Sequence, residues 1–222
     1  MENKIRMGLA VLTAILIVIC GIIFKQDFIK MLPFLISTFI VLFQSKVNRY
    51  SYIAGAANAA LYALVYYLLG AYSMMAYALL FSLPIQLLTF FNWQKHAYEK
   101  SVTLKKMSGK LRILTLVAFA ASWLAVFGVL KLLKSDVAIS DTSASLLGIL
   151  VSVLTALAYI EYSYLWIISS FASLVLNLQL ALNDISNISL VVSSVFNLYC
   201  VIMAVVTVRK LYKKQQEEGI TK

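Results

Sequence analysis

Charge, proline, cysteine and histidine are all scarce in this chain of 222 residues: 13% of residues are charged, and there are two prolines, two cysteines and one histidine. Each shortage excludes something. Cys20 and Cys200 lie in apolar runs, so no disulfide framework is expected. With His96 alone there is no Cys/His metal spacing, and neither a glycine-rich phosphate loop nor a nucleophile elbow occurs. An enzyme is therefore not expected, and no metal or cofactor is called for. The acids are missing from particular places. Asp27, Asp136, Asp141, Glu161 and Asp184 fall at the ends of apolar stretches, and Glu2, Glu99, Glu217 and Glu218 fall in loops or tails. Carriers driven by protons or sodium usually keep an acid, or a broken helix, inside the membrane. Facilitated diffusion is the simpler expectation. Pro33 and Pro84 sit inside apolar stretches, where a proline frees a carbonyl and bends a helix.

What is abundant is apolar residue: 62% of the chain, with a mean hydropathy of +0.90. A soluble fold of this size would expose much of it to water. Eight stretches approach the ~20 residues that cross a bilayer: 7–24, 28–45, 51–70, 71–93, 113–133, 142–160, 162–182 and 188–208. They leave no room for a separate soluble domain. Strict alternation is absent, so the expected fold is an all-α integral membrane protein of eight spans, in which helices satisfy the backbone where water cannot. Lys4 and Arg6 precede the first run in the manner of a signal peptide. The run is long and lacks a small-residue cleavage site, so it reads as a retained span.

Net charge is +10. On a soluble protein this would suggest nucleic acid, but here the cations fall on alternate connections. With the N-terminus inside, 15 Lys and Arg residues lie on the inner side and 4 (Lys25, Lys30, Lys131 and Lys134) on the outer. That asymmetry places both termini in the cytoplasm. Residues 94–112 form the one long basic loop, read as a topology anchor against anionic head groups, and 209–222 form a basic cytoplasmic tail.

Tyr50-Ser51-Tyr52-Ile53 and Tyr162-Ser163-Tyr164-Leu165 open two of the stretches, and each is followed one span later by an amide, Gln86 or Asn197. Such self-similarity suggests two halves around a shared site. The stretches then sort into an extra N-terminal span (7–24), a first triplet (28–93), a linker helix (113–133) and a second triplet (142–208). An odd linker makes the two triplets parallel repeats, with a central cleft between them.

Polar residues form stripes at helical spacing. They are Gly55, Asn58, Tyr62 and Tyr66; Ser82, Gln86, Thr89 and Trp93; Ser163, Trp166, Ser170, Ser173 and Asn177; and Ser193, Asn197 and Cys200. Small and amide residues also glue membrane helices together. Four stripes in the two triplets point instead to a polar cavity. Amides both donate and accept, and aromatic faces stack flat rings. The substrate-binding candidates are Trp166, Gln86, Asn197, Asn58, Ser163, Ser170, Asn177, Tyr62 and Trp93, for a flat ring bearing a sugar-like group.

Glu161-Tyr162-Ser163-Tyr164-Leu165-Trp166, with Ser170 and Asn197 beyond it, resembles the PnuC family of bacterial vitamin transporters. Asn58 after the turn Lys46-Val47-Asn48-Arg49-Tyr50, the Gln86 region and Phe91-Asn92-Trp93 add to the likeness. The resemblance implies a SWEET-like 3+1+3 fold in a bacterial cytoplasmic membrane, a uniporter, a homotrimer, and uptake of nicotinamide riboside, thiamine, riboflavin or deoxynucleosides trapped by a cytoplasmic kinase. Nicotinamide riboside members carry Trp-x-x-Trp and then an Asn where this chain has Ser163, Trp166 and Ser170, and an Asn where it has Gln86. The small serines open room for a larger or neutral base, so a nucleoside or deoxynucleoside stands beside nicotinamide riboside. The alternatives are thiamine or other vitamin uptake, a substrate-binding subunit of an energised vitamin importer, and an assembly protein whose stripes are packing glue.

Overall fold

The computed structural model describes residues 2–220; Lys222, one of the expected inner charges, lies outside the described residues. The chain forms α1 (Glu2–Ile23), α2 (Phe28–Gln44), α3 (Ser51–Leu68), α4 (Tyr72–Ala76), α5 (Leu83–Lys95), α6 (Gly109–Leu132), α7 (Ala138–Ala156), α8 (Tyr162–Asn183) and α9 (Ile188–Glu217). Among the described residues, six helical segments are long and apolar enough to cross a membrane, and α2 is a shorter apolar helix of 17 residues. α3 is not among the six, because its polar stripe lowers its hydropathy.

α3 packs between α2 and α5, and α8 packs between α7 and α9. The two groups meet where α2 contacts α9 and where α5 contacts α7. α1 lies against α2 and α9, and α6 lies against α7. α6 buries only Leu130 within its length, while Ile113, Leu116 and Leu124 are each about two-thirds exposed. An apolar helix bare on nearly every side is solvated by lipid, since water would penalise it. The two middle helices start alike. Ser51 Oγ donates to the Asn48 carbonyl at 2.6 Å, and Ser163 Oγ donates to the Ile160 carbonyl at 2.9 Å.

The stretch 71–93, expected to be one helix, is interrupted. Tyr77–Ser82 forms a π-helical turn between α4 and α5. Pro84 follows it and is the physical reason: lacking an N–H and crowding the carbonyl four residues back, it favours a wider turn ahead of itself. α7 begins at Ala138, not 142, so Asp141, expected just ahead of the span, is inside the helix's first turn and fully buried. Its carboxylate accepts the free backbone N–H groups of Ser73 and Met74 at 3.1 and 3.0 Å, capping the start of α4.

Residues 96–108 are more than an anchor against lipid. β1 (Ala97–Tyr98) and β2 (Ser101–Val102) form a small antiparallel hairpin. This cap bonds the ends of several helices. Arg49 N–H donates to the Lys100 carbonyl (3.1 Å), and Lys105 exchanges backbone bonds with Ala158 and Ile160. Fully buried Gln215 of α9 accepts from Leu104 N–H and donates to the Val102 carbonyl, both at 2.9 Å. Glu161 accepts from Met107 N–H and pairs with Arg112 at 2.6 Å. The connections after α2, α5 and α7 therefore share one end of the bundle with the basic tail, which we call the basic end. At the opposite end, Ser186 donates to Asp184 through its N–H and hydroxyl, holding that carboxyl below its ordinary range.

Candidate functional site

α2, α3, α5, α8 and α9 wall a chamber of about 240 Å³ inside the bundle. α2 supplies Phe34, Ser37, Val41 and Gln44, and α3 supplies Gly55, Asn58, Tyr62 and Tyr66. The α4–α5 rod supplies Tyr77, Ser82 and Gln86; α8 supplies Trp166, Ser173 and Asn177; α9 supplies Ser193, Ser194 and Asn197. The α3 set recurs at spacings of three and four, which turns it to one face. No lining side chain carries a charge.

The amides are held by their NH₂ groups. Asn58 Nδ2 donates to the Pro33 carbonyl at 2.9 Å, and that partner, which can only accept, fixes the amide's orientation. Gln86 Nε2 donates to Ser82 Oγ (2.9 Å), Asn177 Nδ2 to Ser194 Oγ (2.6 Å) and Asn197 Nδ2 to Ser170 Oγ (3.1 Å). The carbonyl oxygens of Asn58, Gln86 and Asn177 are buried without a hydrogen-bond partner. The Gln86 carbonyl rests in a notch left by Gly55: a Cβ there would lie 1.7 Å from Oε1. Three unpaired acceptors around one chamber are costly in a structure selected for stability alone. They lie just behind the chamber's surface, the Gln86 oxygen against Gly55, and a ligand's donors reach them when these side chains turn.

Aromatic rings form the rest of the wall. Phe34 meets Tyr62 edge-on at 5.1 Å, Tyr62 stacks on Tyr66 at 5.9 Å, and the Tyr62 hydroxyl donates to Ser37 at 2.7 Å. Trp166 is half-buried at the chamber's edge. Beyond it a smaller lobe continues toward the basic end; Gln44, Tyr77, Ser82, Gln86 and Trp166 line both.

Of the nine candidates, the chamber gathers Trp166, Gln86, Asn197, Asn58, Asn177 and Tyr62. Ser163, Ser170 and Trp93 lie outside its wall. Ser163 is spent on the start of α8, and Ser170 stands behind Asn197 as its acceptor. Trp93 is wholly buried in the floor, where its N–H donates to the Thr155 carbonyl at 2.8 Å and its ring meets Tyr52 edge-on at 4.9 Å. Cys200, in one of the stripes, packs in an apolar cluster with Phe196 and Leu42. Tyr77 escaped a 3.6-residue reading because the π turn spaces Tyr77, Ser82 and Gln86 by five and then four. On α2, Ser37, Val41 and Gln44 stand at ordinary helical spacing, but with one apolar member the row carries a weak signal.

The sequence model of the nicotinamide mononucleotide transporter family matches residues 27–213, from the turn before α2 into α9. The chain belongs to that family. It is a multi-pass membrane transporter and not an enzyme, and the resemblance to PnuC that the sequence carries holds across the whole helical core. Its fold is similar to a crystal structure described as that of the vitamin B3 transporter PnuC, with a TM-score of 0.80, 20% identity, and coverage of 95% of this chain and 92% of that one. No curated protein matches the chain.

Proposed function

We propose that this family member takes up an unphosphorylated nucleoside-like molecule, a ring joined to a hydroxylated sugar, by facilitated diffusion. The observation that carries the reading is a chamber of about 240 Å³ whose lining holds aromatic rings, serines and amides and no charged side chain. A phosphate entering it would lose water and meet no cation, a cost of several kcal/mol. Hydroxyls and ring N–H groups would instead meet the idle carbonyl oxygens of Asn58, Gln86 and Asn177, while Trp166 and the tyrosines offer stacking faces worth ~1–3 kcal/mol per base. The absence of an acid from the lining supports uniport, since buried Asp141 is committed to capping α4.

In this reading eight helical rods span the membrane as one helix plus two parallel triplets and a linker, with the basic end and both termini in the cytoplasm. Rocking of one triplet against the other exposes the chamber to each side, and a cytoplasmic kinase traps the product. The protein sits in the bacterial cytoplasmic membrane as a homotrimer. The test is uptake of radiolabelled nicotinamide riboside, thymidine and thiamine into proteoliposomes without ATP or ion gradients. A nucleoside should equilibrate, and Trp166→Ala should slow its entry at least fivefold at low nucleoside concentration. Flux that requires an imposed gradient would overturn uniport, and flux of thiamine alone would overturn the nucleoside assignment.

A further inference from the structure

We propose that the smaller lobe is a second ligand station, taking the hydroxyl-bearing half of the substrate on the basic-end side of the chamber, and that Tyr77 is the movable partition between the two. The inference rests on the transport function proposed above and adds a site to it. The lobe encloses about 130 Å³, far more than the ~10–15 Å³ that one water requires. Its wall brings in α7, which contributes nothing to the chamber. Besides the residues shared with the chamber, its polar groups are Tyr52, Thr89, Ser152, Thr155 and Ser169, again without a charge. Thr89 and Thr155 donate their hydroxyl protons to the carbonyls of Ile85 and Val151, at 2.6 and 2.7 Å. What those threonines have left is lone pairs, which suit the hydroxyls of a sugar. On the basic-end side Thr155, which lines the lobe, accepts through its carbonyl from Trp93 of the floor.

The partition is set by close packing. Tyr77 begins the π turn, a helix irregularity common at functional sites. Its hydroxyl lies 3.1 Å from Ser152 Oγ, and its ring fits the notch at Gly148 of α7. A Cβ on Gly148 would stand 2.9 Å from Tyr77 Cζ and 3.2 Å from its hydroxyl. A side chain there forces the ring off α7 and into the space where the two compartments, both lined by Tyr77, meet. The glycine thus keeps the ring parked.

The test compares binding with uptake, using nicotinamide riboside and thymidine as probes and purified protein in liposomes. Gly148→Ala should lower uptake at least tenfold, and by at least fivefold more than it raises Kd, because the glycine itself lines the lobe and not the chamber. Adding Tyr77→Leu, which takes the ring out of the opening, should raise uptake at least threefold above that of Gly148→Ala alone. Thr155→Phe, which fills the lobe, should also cost at least tenfold in uptake with Kd within threefold. At equal occupancy, 3′-deoxythymidine should cross at least fivefold more slowly than thymidine. Uptake by Gly148→Ala within twofold of wild type overturns the partition, as does a parallel fall of binding and uptake in both single variants. Equal rates for thymidine and its 3′-deoxy analogue overturn the hydroxyl assignment. A wild type that binds neither nucleoside overturns the proposed function and this inference together, whereas normal wild-type binding and uptake with unaffected variants overturns this inference alone.

Discussion

Gln86→Met separates a ligand site from packing glue. The side chain makes one hydrogen bond, from Nε2 to Ser82 Oγ one turn earlier in the same rod, and its carbonyl oxygen is buried with no partner. Methionine keeps the length and removes both polar atoms. Losing the local bond costs ~0.5–1.5 kcal/mol, while relieving the unsatisfied acceptor returns ~1–3 kcal/mol. The ligand-free protein should therefore be unchanged or up to ~2 kcal/mol more stable. For a chain of this size each kcal/mol moves Tm by ~2–4 °C, so Tm should hold or rise by several degrees. Binding should move the other way. A ligand hydroxyl left without its acceptor in the chamber loses ~1–3 kcal/mol, which is ~5- to 150-fold in Kd. The assay is thermal unfolding in detergent with and without nucleoside, alongside calorimetric titration. A variant that melts several degrees lower and binds the nucleoside as wild type does would refute the reasoning.

Trp166→Ala should weaken nucleoside binding by ~5- to 150-fold through the loss of one stacking face, measured by titration, with Trp166→Phe recovering much of it. Gly55→Ala should displace the Gln86 carbonyl, whose Oε1 lies 1.7 Å from where the new Cβ must go. It should raise Kd at least tenfold, and a Gly55→Ala/Gln86→Ala double variant should not add the two losses. Gln215→Ala orphans the Leu104 N–H and the Val102 carbonyl. At ~1–3 kcal/mol for each buried group, it should lower Tm by several degrees and open residues 96–108 to protease, with nucleoside Kd nearly unchanged. Arg112→Ala should cost no more than ~1 kcal/mol in thermal unfolding, because its side chain is 46% exposed where it meets Glu161.

The helical layout was legible because a membrane leaves a chain few choices. Apolar runs of bilayer length must be helices, so α2, α3, α8 and α9 begin where their runs begin. Boundaries set by side-chain caps were harder to see. α6 starts at Gly109 because Ser108 Oγ accepts from Leu111 N–H, and α7 starts early enough to bury Asp141, a residue that the apolar run alone leaves just outside the span. The α3 stripe was readable from its spacing. Tyr77 was not, because five-residue spacing across a π turn breaks the helical period. Trp93 shows the converse: it continues the stripe of Ser82, Gln86 and Thr89, yet it lies in the floor, because the rod descends past the chamber. Periodicity reports which face a residue shares, and depth along the helix decides what that face meets. The folded cap at 96–108 left no periodic trace, since its order comes from backbone bonds to Arg49, Ala158 and Gln215.

The most direct test of the uncharged chamber pairs each nucleoside with its own 5′-monophosphate. Liposomes containing the protein, without gradients, are offered labelled nicotinamide riboside or thymidine and then an excess of the unlabelled monophosphate. The account predicts that the nucleoside equilibrates, that its monophosphate is not carried, and that a hundredfold excess of monophosphate barely slows the nucleoside. Transport of the monophosphate at a comparable rate, or competition at equal concentration, would contradict it.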